Sequence, residues 1–286
     1  MIPPAIAAAL EAALGAAFER VRPVGGGCIN EAVCGEVAGR PVFVKFNRSS
    51  PAGMFAAEAA GLRALRATGT LRVPEPLAWS DSPAFLALEY IHAGSAPSRH
   101  VGTLLGRGLA TLHRRAQPGY GWDSDNFIGT LRQDNTRRPT WPAFFGELRL
   151  APQLEMAARA GRLSAPEARA AEKLIARLGD LLPADPAPSL LHGDLWGGNY
   201  MVDAAGEPVL IDPAVYCGDR EVELAFTELF GGFDASFYAA YDEAWPRHAG
   251  YAQRRDLYNA YPLLVHVNLF GGGYRGQFMA TVARYS

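Results

Sequence analysis

Between residues 190 and 214 the chain reads Leu-Leu-His-Gly-Asp-Leu-Trp-Gly-Gly-Asn-Tyr-Met-Val-Asp-Ala-Ala-Gly-Glu-Pro-Val-Leu-Ile-Asp-Pro-Ala, and three of its oxygen-bearing side chains are spaced for joint work. Asp194 and Asn199 stand five positions apart across a loop with two glycines, and Asp212 follows thirteen positions later. Two short apolar stretches, Tyr200-Met201-Val202 and Pro208-Val209-Leu210-Ile211, flank a turn at Ala204-Ala205-Gly206-Glu207. A hairpin of that length returns the chain to its start, which predicts Asn199 and Asp212 side by side, next to Asp194. Hard oxygen donors of this kind suit Mg²⁺, which keeps several waters and is completed by substrate phosphates.

Upstream parts fit the same chemistry. Residues 23 to 30 read Pro-Val-Gly-Gly-Gly-Cys-Ile-Asn. Gly25, Gly26, Gly27, Cys28, Ile29 and Asn30 form a glycine-rich loop between strands, one way to bring amide N–H groups to phosphate oxygens; a tight hairpin is the plainer alternative. Lys45 follows the apolar Val42-Phe43-Val44 and precedes Phe46. Over 51–68 a helical pattern places Met54, Glu58, Leu62 and Leu65 on one stripe, so a carboxylate sits among apolar neighbours and needs a partner. Lys45 is the natural one, unless Glu58 merely snorkels from the stripe edge.

Lysine for the phosphates, oxygen ligands for a bridging metal and a carboxylate to accept a hydroxyl proton are the parts of phosphoryl transfer. Asp194 is the candidate base; Asn199 and Asp212 are the candidate metal ligands. Protein kinases have the same five-residue step from Asp to Asn. Here Gly193 stands in place of their Arg, and Asp212-Pro213-Ala214 in place of Asp-Phe-Gly. Taken singly, each residue has a plainer reading: turn caps for Asp203 and Asp212, an Asx-turn for Asn199 and a structural hydrogen bond for His192. It is their joint order along the chain that argues for chemistry.

The elements that must position these residues change character along the chain. A helical pattern over 11–21 precedes the glycine loop. Strands are predicted over 32–37 and 40–46 with a turn at Ala38-Gly39, and another over 84–91 after the stiff connector Val73-Pro74-Glu75-Pro76. Beyond lie helical patterns over 102–115, 141–160, 165–182 and much of the stretch from Glu221 onward. A strand-rich third followed by a helix-rich remainder predicts two lobes, 1–91 and 92–286.

Composition narrows the class further. The 286 residues are 49% hydrophobic and 20% charged, and 27 basic against 29 acidic side chains leave a net charge of −2. No basic cluster marks a nucleic-acid or acidic-membrane partner. No run approaches the ~18 apolar residues of a membrane-spanning helix. Three cysteines cannot all pair within one chain, which points to a reducing, cytoplasmic setting. The 31 glycines exceed ordinary usage. Several fall in the loops above, but the clusters at 231–232 and 271–273 have no assigned role.

At these residues the sequence resembles the fructosamine kinase (ketosamine kinase) family, a branch of the aminoglycoside phosphotransferase and choline kinase-like fold. The likeness runs through Gly26-Gly27-Cys28-Ile29-Asn30-Glu31, Val42-Phe43-Val44-Lys45, Asp125-Asn126-Phe127-Ile128-Gly129-Thr130 and Trp141 through Phe145. It continues through His192-Gly193-Asp194-Leu195-Trp196-Gly197-Gly198-Asn199, Asp212-Pro213-Ala214-Val215-Tyr216, Gly218-Asp219-Arg220-Glu221, Glu228 through Phe233 and Asn268 through Gly272. Glu223, where Asp is expected, and Phe226, where Met is commoner, are departures expected to lie away from the chemistry.

The resemblance implies an α+β, bilobal protein-kinase-like fold: a small N-lobe with an antiparallel sheet and one key helix, and a larger, mostly helical C-lobe. It implies an enzyme using ATP and Mg²⁺ to phosphorylate the C3 hydroxyl of a small-molecule or protein-bound ketosamine; the chain is expected to act as a monomer. Adenine would lie against the backbone of Glu89, Tyr90 and Ile91. Trp196 would wall the sugar, with Tyr216, Arg220 and Phe270 as further pocket residues; lobe packing is the alternative role for Trp196. A kinase for an aminoglycoside- or choline-like hydroxyl compound, and a nucleotide-binding pseudokinase module, are the competing readings. Cys28, in the phosphate loop, is a candidate for oxidation to a disulfide-linked dimer, with simple packing as the alternative.

Overall fold

The protein is described here by a computed structural model covering residues 2–25 and 30–285. Its first helix, α1 (Pro4–Leu14), starts on a proline whose fixed φ suits the first turn and stops at Gly15, which adopts a left-handed φ of 76°. The helix expected over 11–21 is therefore corrected. Its second half belongs to strand β1 (Phe18–Val24), whose partner β2 (Glu31–Val37) captures it by antiparallel pairing that sequence periodicity alone does not reveal.

Strand β2 turns at Ala38 and Gly39, both with positive φ, into β3 (Arg40–Phe46). Helix α2 (Met54–Ala67) follows, then β4 (Pro76–Asp81) and β5 (Ala84–Glu89). The five strands form one antiparallel sheet in the order β1-β2-β3-β5-β4, so the lysine-bearing β3 is its central strand. The stiff connector at 73–76 thus leads into an additional strand.

The chain leaves the sheet after β5. It continues as α3 (Ser98–His113), the small hairpin β6 (Asn126–Ile128) and β7 (Leu131–Gln133), and α4 (Trp141–Phe145). A single π-helical stretch, Gly146–Leu150, joins α4 to α5 (Ala151–Arg159); α6 (Ala165–Ala176) and α7 (Leu178–Leu181) follow. Next come β8 (Pro188–Leu191), β9 (Tyr200–Val202), β10 (Pro208–Leu210) and β11 (Tyr216–Asp219). The chain ends in α8 (Arg220–Leu229), α9 (Ala235–Ala244), α10 (Tyr251–Tyr258), α11 (Ala260–Phe270) and α12 (Tyr274–Tyr285).

Apolar packing ties these parts together in three clusters. One lies between α1 and the sheet, around Leu10, Val44 and Phe85. A second fills the helical region around Trp141, Phe145 and Tyr258. The third joins Phe55, Leu62 and Leu65 of α2 to Leu109 of α3, Leu195 and Leu210 in the stretch 190–214, and Leu224 of α8. Helix α2, which carries Glu58, is thereby packed on both the sheet and the helical region. No helix among the described residues is long and apolar enough to cross a membrane.

Candidate active site

Strands β9 and β10 pair with Tyr200 opposite Leu210 and Val202 opposite Pro208, and the Ile211 amide donates to the Asn199 carbonyl at 3.0 Å. This closure sets Asn199 and Asp212 next to each other, as the spacing predicts. The Asn199 side-chain amide donates to the Asp194 carbonyl oxygen at 2.7 Å and to its carboxylate at 2.9 Å. Its nitrogen is spent on Asp194, so its side-chain oxygen is the donor left for a cation. Asp212 adopts a φ of 54°, a strained value for a non-glycine residue that a functional site can retain.

Gly193 has no alternative at its position. Its φ is 83°, and a Cβ there would lie 2.0 Å from the Ala214 carbonyl oxygen, because the His192 carbonyl accepts from the Ala214 amide at 2.9 Å. Glycines 231 and 232 acquire a role in the same place. Their backbone nests on Gly197 of the catalytic loop, where a Cβ on Gly232 would fall 2.6 Å from the Gly197 Cα, and Tyr200 donates its hydroxyl to the Gly232 carbonyl at 2.9 Å. Gly271, with a φ of 67°, ends α11, its amide donating to the carbonyls of His266 and Val267.

From the sheet, Lys45 reaches across to this hairpin. It is buried on β3, ion-paired with Glu58 and 2.8 Å from the Asp212 carboxylate. Burial alone would lower the ammonium pKa, but the two carboxylates outweigh it and hold Lys45 above its usual range. Burial pushes Glu58 up to about 7 despite Lys45. Asp212, whose side chain is half exposed, goes the other way: desolvation opposes it, yet Lys45 holds it below the ordinary carboxylate range.

The glycine-rich loop residues Gly26, Gly27, Cys28 and Ile29, expected to meet phosphate, lie outside the described residues. Asn30 accepts a hydrogen bond from the Asn47 side chain at 3.2 Å, at the root of that loop beside the end of β3. At the exit of the sheet, Glu89 gives its amide to the Glu75 carbonyl at 2.8 Å. Its carboxylate pairs with Arg72 at 2.8 Å, and Arg72 also pairs with Asp203 in the β9–β10 turn. Tyr90 packs edge-on against His92, and Ile91 is buried. The segment expected to meet adenine is thus tied to the catalytic hairpin.

Asp194 is held well above the usual carboxylate range, first by burial and further by Asp212 and Glu223, against the hydrogen bond from Asn199. Its loop is anchored by Glu223 of α8, whose carboxylate accepts the Gly193 amide at 2.7 Å and the His192 amide at 3.2 Å. His113 of α3 donates from Nε2 to the same carboxylate at 2.9 Å, and the Tyr241 hydroxyl lies 2.8 Å from its Nδ1. These donors hold Glu223 below its ordinary range although burial works against them.

Both departures from the family pattern lie close to the candidate site. Glu223 fixes the catalytic loop, and Phe226, one turn along α8, lines a cavity that opens beside Asp194. The stripe rule that marks Glu58 also marks this pair: Glu223, Phe226 and Phe230 follow at steps of three and four. His113 carries no comparable local signal, because its partners lie 110 and 128 positions away.

The four expected substrate contacts separate. Trp196 is exposed at 40%, directly after Asp194-Leu195, and its ring covers Gly198. Tyr216 lines the cavity beside Asp194, backed by the Arg149 guanidinium 4.2 Å from its ring. Phe270 is exposed near the end of α11, packed on His266. Arg220 is a correction: it is 1% exposed, lies 3.9 Å from the Trp245 ring and gives its hydrogens to the carbonyls of Trp245 and Pro246. A guanidinium so enclosed braces the fold and does not meet a substrate.

Comparison with known proteins agrees with this geometry. A family model described as fructosamine kinase matches residues 2–285. The probable ketoamine kinase of Synechocystis is 45% identical over 260 residues, covering 90% of this chain and 86% of the relative. The chloroplastic protein-ribulosamine 3-kinase of Oryza sativa subsp. japonica is 40% identical over 271 residues, covering 93% and 78%. A crystal structure from Thermobifida fusca, described as a candidate fructosamine-3-kinase, superposes with a TM-score of 0.88 at 35% identity over 98% of both chains. An aminoglycoside phosphotransferase, APH(4)-Ia, shares the fold with a TM-score of 0.64 at 16% identity over 99% of both chains. With a family model spanning nearly its whole length and its lysine, glutamate, aspartates and asparagine converging on one cleft, this chain belongs to the fructosamine kinase family.

Proposed function

We propose that the protein is an ATP-dependent ketosamine 3-kinase. The observation that carries the reading is the convergence of Asp194, Asn199 and Asp212 on one side of a cleft with Lys45 reaching Asp212 at 2.8 Å from the other. Asp194 accepts the proton of the C3 hydroxyl as its oxygen attacks the γ-phosphorus of ATP and ADP leaves. A carboxylate raised by burial suits this work, since its conjugate acid is closer to the operating pH. Asn199 holds Asp194 in orientation, and Lys45 offers its charge to the phosphates.

Asn199 through its side-chain oxygen and Asp212 through its carboxylate are the residues that would hold Mg²⁺. Two protein oxygens match a cation that keeps waters and takes its remaining ligands from phosphates. When bound, it would neutralise charge on the β- and γ-phosphates. Trp196 offers an exposed aromatic face for the C–H side of a sugar. The 3-phosphate so formed is a leaving group next to a C2 carbonyl that enolises readily, so the product decomposes and releases the amine. Buried, unpaired Cys34 and Cys217 fit a reducing, cytoplasmic setting.

The test is Asp194→Asn assayed with ATP and a ribulosamine. Loss of a general base should lower kcat by about 10² to 10⁴-fold. A rate near wild type would remove Asp194 from that role.

A further inference from the structure

The β9–β10 hairpin, which carries Asn199 before it and Asp212 after it, is flanked by the two stretches that lead into and out of the last sheet strands. Along β10, the Leu210 amide donates to the Arg72 carbonyl at 2.9 Å. Along β9, the Gly94 amide donates to the Val202 carbonyl at 2.9 Å. Gly94 comes so close that a Cβ on it would lie 2.2 Å from the Asp203 carbonyl oxygen.

The Arg72 side chain adds a bridge between these parts. One of its terminal nitrogens donates to the Glu89 carboxylate at 2.8 Å and the other to Asp203. Asp203 is buried and closes the hairpin turn, its Oδ1 accepting the amides of Ala205 at 2.9 Å and Glu207 at 3.0 Å. A planar guanidinium offers paired donors in a fixed fork, so it can hold two carboxylates at a set separation. Arg66, 3.8 Å from the other Glu89 oxygen, turns instead to the Val73 carbonyl and Glu75, on its own side of the cleft.

Resting on the ATP-dependent reading above, we propose that Arg72 is a positioning residue that fixes the distance between the adenine segment at Glu89 and the hairpin that bears Asn199 and Asp212. The hairpin has three residues in each strand, about 10 Å at ~3.3 Å per residue, so a shift at its turn is carried to its ligand end. A nucleoside triphosphate is the ligand that must satisfy both ends at once: its base lies against the 89–91 backbone while its phosphates share a cation with Asn199 and Asp212. Adenosine meets only the first end, and the ketosamine only the Asp194 side. Arg72 touches none of these ligands and acts through Glu89 and Asp203.

The experiment uses the full-length protein as wild type, Arg72→Ala and Glu89→Ala, and measures KM for ATP, KM for a ribulosamine and the inhibition constant of adenosine competing with ATP. Either variant should raise KM for ATP on the order of tenfold, within the range for coupling inside one ion-pair network, with the adenosine constant and the ribulosamine KM unmoved. Glu89→Ala cuts the bridge while leaving Asp203 its cation, so it decides alone if Arg72→Ala fails to fold. Equal weakening of ATP and adenosine would show that Arg72 merely supports the segment, and an ATP KM within about twofold of wild type would show that the bridge sets nothing; either overturns the proposal. A wild type that consumes no ATP with any ketosamine would overturn the kinase reading and the proposal with it, whereas an active wild type with an unmoved ATP-to-adenosine ratio in the variants overturns only the role of Arg72.

Discussion

The two sides of the cleft are held by different forces. On the phosphate side, Lys45, Glu58 and Asp212 form a charge cluster in which each partner's position depends on the others' ionisation. On the acceptor side, Asp194 is placed by backbone hydrogen bonds to Glu223, by the Gly193 turn and by the Gly197–Gly232 contact, and its pocket by apolar side chains. Charge can be supplied by any residue that reaches; shape cannot. The phosphate side should therefore lose function on loss of charge while keeping its fold, and the acceptor side should lose stability and function together.

Lys45→Met gives the largest break in that comparison. With no charge for the phosphates, kcat should fall by at least about 10²-fold. The fold should survive, because Glu58, already pushed up to about 7 by burial, takes a proton when its partner is gone. Thermal melting beside a phosphoryl-transfer assay checks both parts; a rate loss matched by unfolding would contradict the contrast.

The pH profile separates the two aspartates. Asp194 must be unprotonated to act, and its pKa is raised, so kcat/KM should fall about tenfold per pH unit below that elevated pKa and rise to a plateau above it. Asp212 is held low by Lys45 and should add no second loss in that range. A flat profile down to the ordinary carboxylate range would show that Asp194 is not the titrating base.

Glu223→Gln probes the acceptor side with a smaller effect. Whichever way the amide turned, its NH₂ would face a backbone donor, the Gly193 N–H or the His192 N–H, donor against donor, at a cost of about 1–3 kcal/mol. A loosened catalytic loop should also lower kcat by about tenfold. Unchanged denaturation and rate would show that the carboxylate is not the anchor.

Glu167→Gln serves as the smallest change, far from either side. Its carboxylate caps α6 through Ser164 and pairs with Arg275 of α12 at 2.7 Å, which pushes it down to about 2. A carboxylate depressed in the fold stabilises fully above its unfolded pKa of 4.5, and that contribution is lost as pH falls toward about 2. The variant should flatten the acid limb of the melting curve and leave kinetics at pH 7 untouched.

Legibility in the sequence follows the same division. Lys45, Glu58, Asp194, Asn199 and Asp212 announce themselves because a charged or hydrogen-bonding residue among apolar neighbours demands a partner, and short loops limit where partners lie. The β9–β10 hairpin is readable because its register depends on adjacent residues alone. Arg220, placed in the pocket by the family resemblance, is reassigned by the fold alone: the Trp245–Pro246 segment, 25 and 26 positions on, absorbs its charge. The end of α1 is misplaced because the residues after Gly15 are drawn into a strand by pairing with β2.

The amino-acid sequence by itself determined which polar groups meet in the candidate site: the lysine and glutamate that pair, the Asp-to-Asn step across the glycine-containing loop, and the hairpin that brings Asp212 back to it. Those follow from local spacing and from the cost of burying charge. The tertiary structure alone decided what holds and shapes the acceptor side, from His113 and Glu223 beneath the catalytic loop to Gly232 against Gly197 and Phe226 at the pocket floor. These are contacts between residues far apart in the chain, set by close packing, and neither periodicity nor motif spacing encodes which distant surfaces will meet.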